Sequence, residues 1–388
     1  MKNTMANLLD YLNWRGDISL AIKPFNEVDG VILARLSYLR CDRIMLQGSL
    51  DPVPLPEAVR RLLDRSGTAA KPISENNIRM LTALLGAERY RDMELIYYMN
   101  RFDPKSQTQF AAVTVRIGPG RYFVAFRGTD NTLVGWKEDF NMSFVCPVPA
   151  QGEAVRYLDS LAAKLSAASA DAGEGISPAP QVRFIVGGHS KGGNLAVYAS
   201  AYCSEAVQQR IDEVYNFDGP GFTEPVLSSE GYKRICGRVR TYVPQSSIVG
   251  MLLGHEEKYT IVRSTNSSIW QHDTASWEVV VDHFRELESV TNSSRFVDYT
   301  LKSWMTSLEP QRRERFFDAV YTVLTETNCS TVRELMRNKM DTVRKVYRSV
   351  RSLDEEQRKD ITYTMRLFLR SAKVGMLRLL EEKSEPKE

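Results

Sequence analysis

At 388 residues, with 43% hydrophobic and 26% charged positions, the chain can build one large domain or two ordinary ones and is too apolar to be wholly disordered. Lys and Arg total 51 against 48 Asp and Glu, and a net charge of +3 is too small an asymmetry to make nucleic acid the default partner. No apolar run approaches the ~18 residues of a membrane-spanning helix, and Asp10, Arg15 and Asp17 break up the N-terminal apolar residues in a way a secretory signal would not. The five cysteines (Cys41, Cys146, Cys203, Cys236, Cys329) form no C-x-x-C pair, which fits reduced thiols in a cytoplasmic protein better than a disulfide framework or a zinc site.

Residues 1–90 read as a helical N-terminal segment packed on the core, with apolar patterns over Val28–Leu39 and Pro54–Leu63. Strand patterns follow at Leu95–Tyr98, Phe110–Ile117 and Tyr122–Phe126, the last two joined by Gly118-Pro119-Gly120, a hairpin signal. Gln151–Ala168 reads as helix and Gly173–Pro180 as a polar surface loop. Val182–Val186 is a continuous apolar run of the kind buried in a parallel sheet. A helix over Asn194–Tyr202 and strands at Val214–Phe217, Val239–Val243, Tyr259–Val262 and Trp277–Val281 continue the alternation. This order predicts an α/β fold with a mostly parallel central sheet flanked by helices, its core over residues 91–283. Residues 284–388 read as a helical C-terminal extension. Its last 58 positions carry 15 Lys and Arg against 10 Asp and Glu. Such a tail reads first as a solvated helix face packed on the core; the alternative is peripheral contact with an anionic membrane surface.

The strongest chemical signal is Gly188-His189-Ser190-Lys191-Gly192, with Gly193 following, set between an apolar strand and a helix. A strand–turn–helix of this pattern holds a nucleophilic serine on a strained corner, and its glycines allow backbone to pass close to backbone. Serine needs a neighbouring base to react. The helix start and the N–H of Lys191 suit a developing oxyanion. The alternative is a phosphate-binding or merely structural glycine turn. A second strand, Tyr122–Phe126, ends in Arg127-Gly128-Thr129, after which Asn131 or Thr132 can cap a short helix carrying Trp136 and Asp139.

These two motifs, F-R-G-T followed by W-x-x-D and then G-H-S-x-G-G, resemble in residues, order and spacing those of the class 3 (fungal-type) lipases, which are α/β-hydrolases. The likeness covers roughly residues 110–280, and the whole chain looks like an uncharacterised bacterial branch of such lipase-like proteins. The resemblance implies that the N–H of Thr129, with its hydroxyl, supplies a second oxyanion donor beside Lys191. It also implies a catalytic histidine late in the chain, past the core strands and shortly before a Trp. Of the four histidines, His272 in Trp270-Gln271-His272-Asp273 fits, with His283 and His255 as alternatives and His189 read as a packing residue.

The acid departs from that family. Where its aspartate is expected, this sequence has Val243-Pro244-Gln245-Ser246-Ser247-Ile248-Val249. Asp218, at the carboxyl end of the preceding strand, keeps the order Ser…Asp…His. It can alternatively be a helix cap for Thr223 onward, and Asp273, Glu256 and Asp282 are the reserves. Lys191 replaces the leucine usual in lipases; its stem is expected to pack and its amine to reach solvent, where it decorates the rim of the site, the alternative being that it favours an acidic or phosphorylated substrate. Ile248–Leu253 (IVGMLL) suits either an acyl pocket or buried core. The expected activity is a serine hydrolase cleaving a carboxylic ester of acyl or lipid type, with Ser190, His272 and Asp218 catalytic, Lys191 and Thr129 forming the oxyanion hole, and no metal or organic cofactor required. The alternative is a catalytically inactive hydrolase fold serving as a binding or scaffold protein.

Overall fold

The computed structural model describes residues 5–64, 75–129, 137–139, 141–142, 146–171, 181–291, 295–296, 299–301, 303–304, 307–325, 350–351 and 353–384. The expected loop at Gly173–Pro180, the residues Asn131, Thr132 and Trp136, and residues 331–349 of the basic tail lie outside these. A 9-stranded sheet forms the centre. In chain order its strands are β1 (Val53–Pro54), β2 (Glu94–Asp103), β3 (Thr108–Gly118), β4 (Arg121–Phe126), β5 (Arg183–His189), β6 (Ile211–Phe217), β7 (Val239–Pro244) and β8 (Tyr259–Val262). A separate hairpin of β9 (Val279–Val280) and β10 (His283–Phe284) follows, and β11 (Glu286–Leu287) returns to the large sheet beside β8. Strands β4 to β8 are parallel neighbours, while β1 to β4 pair antiparallel at one edge and β11 closes the other.

Alternation along the strands sorts side chains onto two apolar layers. Phe123, Ala125, Ile185, Tyr215 and Phe217 face a cluster built with the N-terminal helices Leu8–Arg15, Glu27–Leu36, Leu55–Asp64 and Glu75–Gly86. Tyr122, Val124, Phe126, Phe184 and Val186 face the helices Pro149–Asp171, Lys191–Tyr202 and Glu230–Cys236. Both faces of β5 are thus covered, which is why its sequence is an unbroken apolar run rather than an alternation. The helix Glu27–Leu36 lies close on the sheet because Gly30 has no side chain: a Cβ there would stand 3.2 Å from Phe217 and Tyr215.

Two expectations need correction. Trp277–Val281 does not close the large sheet, because Val281 has φ 63° and turns the chain into the β9–β10 hairpin. Nor is the chain helical from residue 284: Phe284 ends β10, and β11 still belongs to the sheet. Helices Pro310–Thr325 and Glu355–Ser384 come later and pack around Trp304, Phe316 and Phe317. Among the described residues no helix is long and apolar enough to cross a membrane.

Candidate active site

The parallel register decides what meets at the carboxyl edge of the sheet. Phe126 is level with Gly188, His189 with Phe217, and Phe217 with Tyr242. Gly128-Thr129, Ser190 and Asp218 therefore leave the ends of three adjacent strands, the edge where open α/β sheets place their ligands.

Ser190 sits at φ 58° and ψ −134°, a conformation that a residue with a side chain rarely adopts, and its N–H donates to Phe217 O at 2.9 Å. Close approach on all sides holds it there. A Cβ on Gly188 would stand 2.3 Å from the Gly192 backbone, and one on Gly192 would stand 2.2 Å from Phe126 O. Gly128 is equally confined, since a Cβ there would stand 2.1 Å from Tyr38 Oη, 2.5 Å from His189 O and 3.1 Å from Ser190 Cβ. The end of β4 is thereby pressed against the serine. The helix Lys191–Tyr202 starts immediately afterwards; Gly193 N already donates to Ser190 O at 2.8 Å, while the N–H groups of Lys191 and Gly192 precede the first intrahelical carbonyl.

Asp218 is buried (1% exposed) and carries a second left-handed backbone, φ 52°. His272, at the end of the short helix Ser268–His272, turns its Nδ1 to Asp218 Oδ2 at 2.6 Å. The other carboxylate oxygen accepts from Ser247 Oγ at 2.5 Å and from Gly250 N at 3.1 Å. Nε2 of His272 is left without a hydrogen bond among the described residues, and the side chain is 28% exposed. No hydrogen bond joins His272 to Ser190 within 3.5 Å.

The His189 ring lies 4.5 Å from that of His272, tilted 38° to it. Its Nε2 donates to His272 O at 2.7 Å, and its Nδ1 accepts from Tyr38 Oη at 3.1 Å. Burial, reinforced by the neighbouring His272, holds the His189 pKa well below the usual histidine range, so the ring is neutral. It braces the backbone of His272 rather than competing as a base. His255 instead bridges Glu257 Oε1 (2.9 Å) and Gly250 O (2.9 Å), and His283 pairs with Asp282 at the surface. Among the reserve acids, Asp273 pairs with Arg35 at 2.8 Å, Asp282 with His283, and Glu256 is exposed. None of these three is hydrogen-bonded to His272.

Thr129 donates its hydroxyl to the Asp139 carboxylate, 2.6 Å from both oxygens, so only its backbone N–H remains for another acceptor. Burial raises the Asp139 pKa from 3.8 to about 6, against the opposing pull of the Lys191 charge and the Thr129 hydrogen bond. The expectation for the Lys191 amine is overturned. The side chain is wholly buried, with Nζ donating to Glu138 Oε2 (2.9 Å), Gln109 O (2.9 Å) and Gln109 Oε1 (2.8 Å). An ammonium with three acceptors, one of them a buried carboxylate, gains nothing by turning outward.

Of IVGMLL, Gly250 is buried, while Ile248, Val249, Met251, Leu252 and Leu253 are half-exposed and not core. Leu253 takes φ 65°. The sequence gives no sign of Tyr38, Glu138 or Gln109, which come from distant segments. Ser247 lay within the departure from the lipase pattern, and its partnership with Asp218 is the physical content of that departure.

Comparison with solved structures returns fungal lipases at low identity. The Rhizomucor miehei lipase–propeptide complex is 16% identical, with 61% of this chain and 67% of that one covered and a TM-score of 0.37. A mutant form of MDLA from Penicillium cyclopium is 15% identical, with 66% and 83% covered and a TM-score of 0.39. Lipase II from Rhizopus niveus is 16% identical, with 68% and 86% covered and a TM-score of 0.38. A search of curated proteins finds no match. The family model named Mbeg1-like matches residues 84–322, more than half of the chain, and with the sheet and serine corner described above the chain is a lipase-like α/β-hydrolase belonging to the Mbeg1-like family.

Proposed function

We propose that the protein is a serine hydrolase that cleaves a carboxylic ester of acyl or lipid type. The observation that carries this reading is the 2.6 Å bond from His272 Nδ1 to buried Asp218, beside a serine on a strained strand–helix corner. Three distant segments supply these groups, and mere packing gives no reason to bring them together. Ser190 Oγ attacks the ester carbonyl as His272 Nε2 takes its proton, and Asp218 fixes the tautomer and stabilises the imidazolium. The N–H groups of Lys191 and Thr129 hold the oxyanion. The proton returns to the departing alkoxide, and water then repeats the sequence on the acyl-enzyme. The half-exposed side chains of Met251, Leu252 and Leu253 lie next to Gly250, which touches Asp218, and offer apolar surface for the acyl chain.

A fluorophosphonate probe tests the proposal directly. The parent chain should be labelled at Ser190, and Ser190→Ala should not be labelled. A correctly folded parent that resists labelling and hydrolyses no p-nitrophenyl ester would instead support the scaffold reading.

A further inference from the structure

We infer that Lys191, through Glu138, is a positioning residue that sets the two oxyanion donors against each other, an inference that rests on the serine-hydrolase reading above. The residue plays two parts. Its backbone N–H opens the helix beside Ser190, while its side chain runs inward to Glu138 and Gln109. Glu138 is fully used as well. Its Oε2 also accepts from Gln109 N at 3.1 Å, and its Oε1 accepts from Ala150 N at 2.8 Å, at the start of the helix Pro149–Asp171. The next residue, Asp139, holds the Thr129 hydroxyl. Thr129 follows Gly128, which is packed on Ser190.

The contacts form a closed circuit: Ser190, Lys191, Glu138, Asp139, Thr129, Gly128 and back to Ser190. One donor N–H belongs to Lys191 and the other to Thr129. Recognition of an acidic substrate by the amine is excluded by geometry, because both Lys191 and Glu138 side chains have 0% exposure. Stability alone does not explain the pair, since a buried ion pair is commonly no better than apolar residues of the same volume. Directional hydrogen bonds supply what apolar packing cannot, a fixed orientation between two backbone donors. Oxyanion stabilisation is sensitive to such placement.

The test uses the full chain, p-nitrophenyl esters, a fluorophosphonate and thermal unfolding. Lys191→Met with Glu138→Gln removes both charges at nearly constant volume and is expected to unfold close to the parent temperature. KM should stay within about twofold while kcat falls on the order of 10²-fold, the loss expected for one misplaced oxyanion donor. Labelling of Ser190 should slow in parallel, because phosphonylation also builds charge on an oxygen in that hole. Parental kcat in the folded double variant would overturn the inference. Glu138→Asp keeps both charges but shortens the link by one methylene, and it serves if the double variant does not fold. Its kcat should fall about tenfold at unchanged KM, by about half the free energy of losing a donor, and kcat within twofold of the parent overturns the inference equally. An unlabelled, inactive parent would remove the serine-hydrolase reading and this inference together; an active parent with unaffected variants removes this inference alone.

Discussion

Asp218 is held in a left-handed backbone that costs an ordinary residue about 1–3 kcal/mol, and the site returns that cost as orientation. Ser247 and Gly250 fill one carboxylate oxygen, so the other can face only His272. Asparagine at this position is close in shape but reverses the chemistry at one atom. Its amide can still accept from Ser247 and Gly250, but the nitrogen facing His272 becomes a donor, which selects the wrong imidazole tautomer. Asp218→Asn should therefore lower kcat on the order of 10⁴-fold while the thermal midpoint stays within a few degrees. Steady-state kinetics alongside a melting curve would decide. Near-parental turnover would mean that Asp218 serves only to hold the turn. This residue could be found from the sequence because it stands at a strand end between the serine and the late histidine. The fate of Lys191 could not. Nothing in G-H-S-K-G shows that an ammonium at that position has a carboxylate waiting 53 residues away, and without the partner, solvent is the natural destination for a charge.

The segment from Ile248 to Glu257 is the element that joins the acid to the proposed acyl surface, and its anchor is Glu257. That carboxylate accepts from Thr241 Oγ1 at 2.6 Å, from His255 Nδ1 at 2.9 Å and from the Tyr232 hydroxyl. Burial alone would raise its pKa, but these hydrogen bonds and the His255 charge prevail and bring it from 4.5 down to about 2. A carboxyl depressed in the folded state stabilises the fold at pH above its ordinary value, and that stabilisation is lost as pH falls through about 2. The contribution is on the order of 3 kcal/mol. Denaturant titrations from pH 7 to pH 2 should show the parent losing about that much more stability than Glu257→Gln over the acid range. Parallel curves would mean that Glu257 does not fasten the segment. If the segment does serve acyl chains, kcat/KM for p-nitrophenyl esters should rise with each methylene by up to ~0.8 kcal/mol, about fourfold. A preference confined to acetate would eliminate a lipid substrate. Strand β5 is legible in sequence because a parallel strand covered on both faces shows a continuous apolar run, whereas β6 and β7 are read from short apolar stretches broken by Asn216 and by Arg240 and Thr241. The β9–β10 hairpin is not legible, because a positive φ at Val281 contradicts the local preference of a β-branched residue and depends on tertiary context.

On the scale of the whole molecule, the N-terminal segment is half of the core, since it covers the sheet face that carries Phe123, Tyr215 and Phe217. One buried ion pair ties that segment together. Asp29 and Arg89 have side chains 0% and 1% exposed, and Arg89 also donates to the carbonyls of Ile18, Lys23 and Pro24 at 2.8–3.1 Å. Asp29 further accepts from the hydroxyls of Tyr11 (3.2 Å) and Tyr90 (2.7 Å). The same helix, Glu27–Leu36, leads directly to Tyr38, whose hydroxyl orders His189 behind the candidate base. Arg89→Met keeps the volume of the side chain but leaves a buried carboxylate with only the hydroxyls and the Asn26 N–H to face it. Removing one partner of a buried pair costs about 3–5 kcal/mol, so the denaturant midpoint should fall sharply. Adding Asp29→Asn, which takes away the orphaned charge, should recover part of the loss. This recovery separates an electrostatic cause from lost packing, because a packing defect at Arg89 would be untouched by neutralising Asp29. If Arg89→Met alone costs less than about 1 kcal/mol, the segment is held by its apolar face and the pair contributes little. A full loss with no recovery in the double variant would place the cost in the three abandoned carbonyls instead.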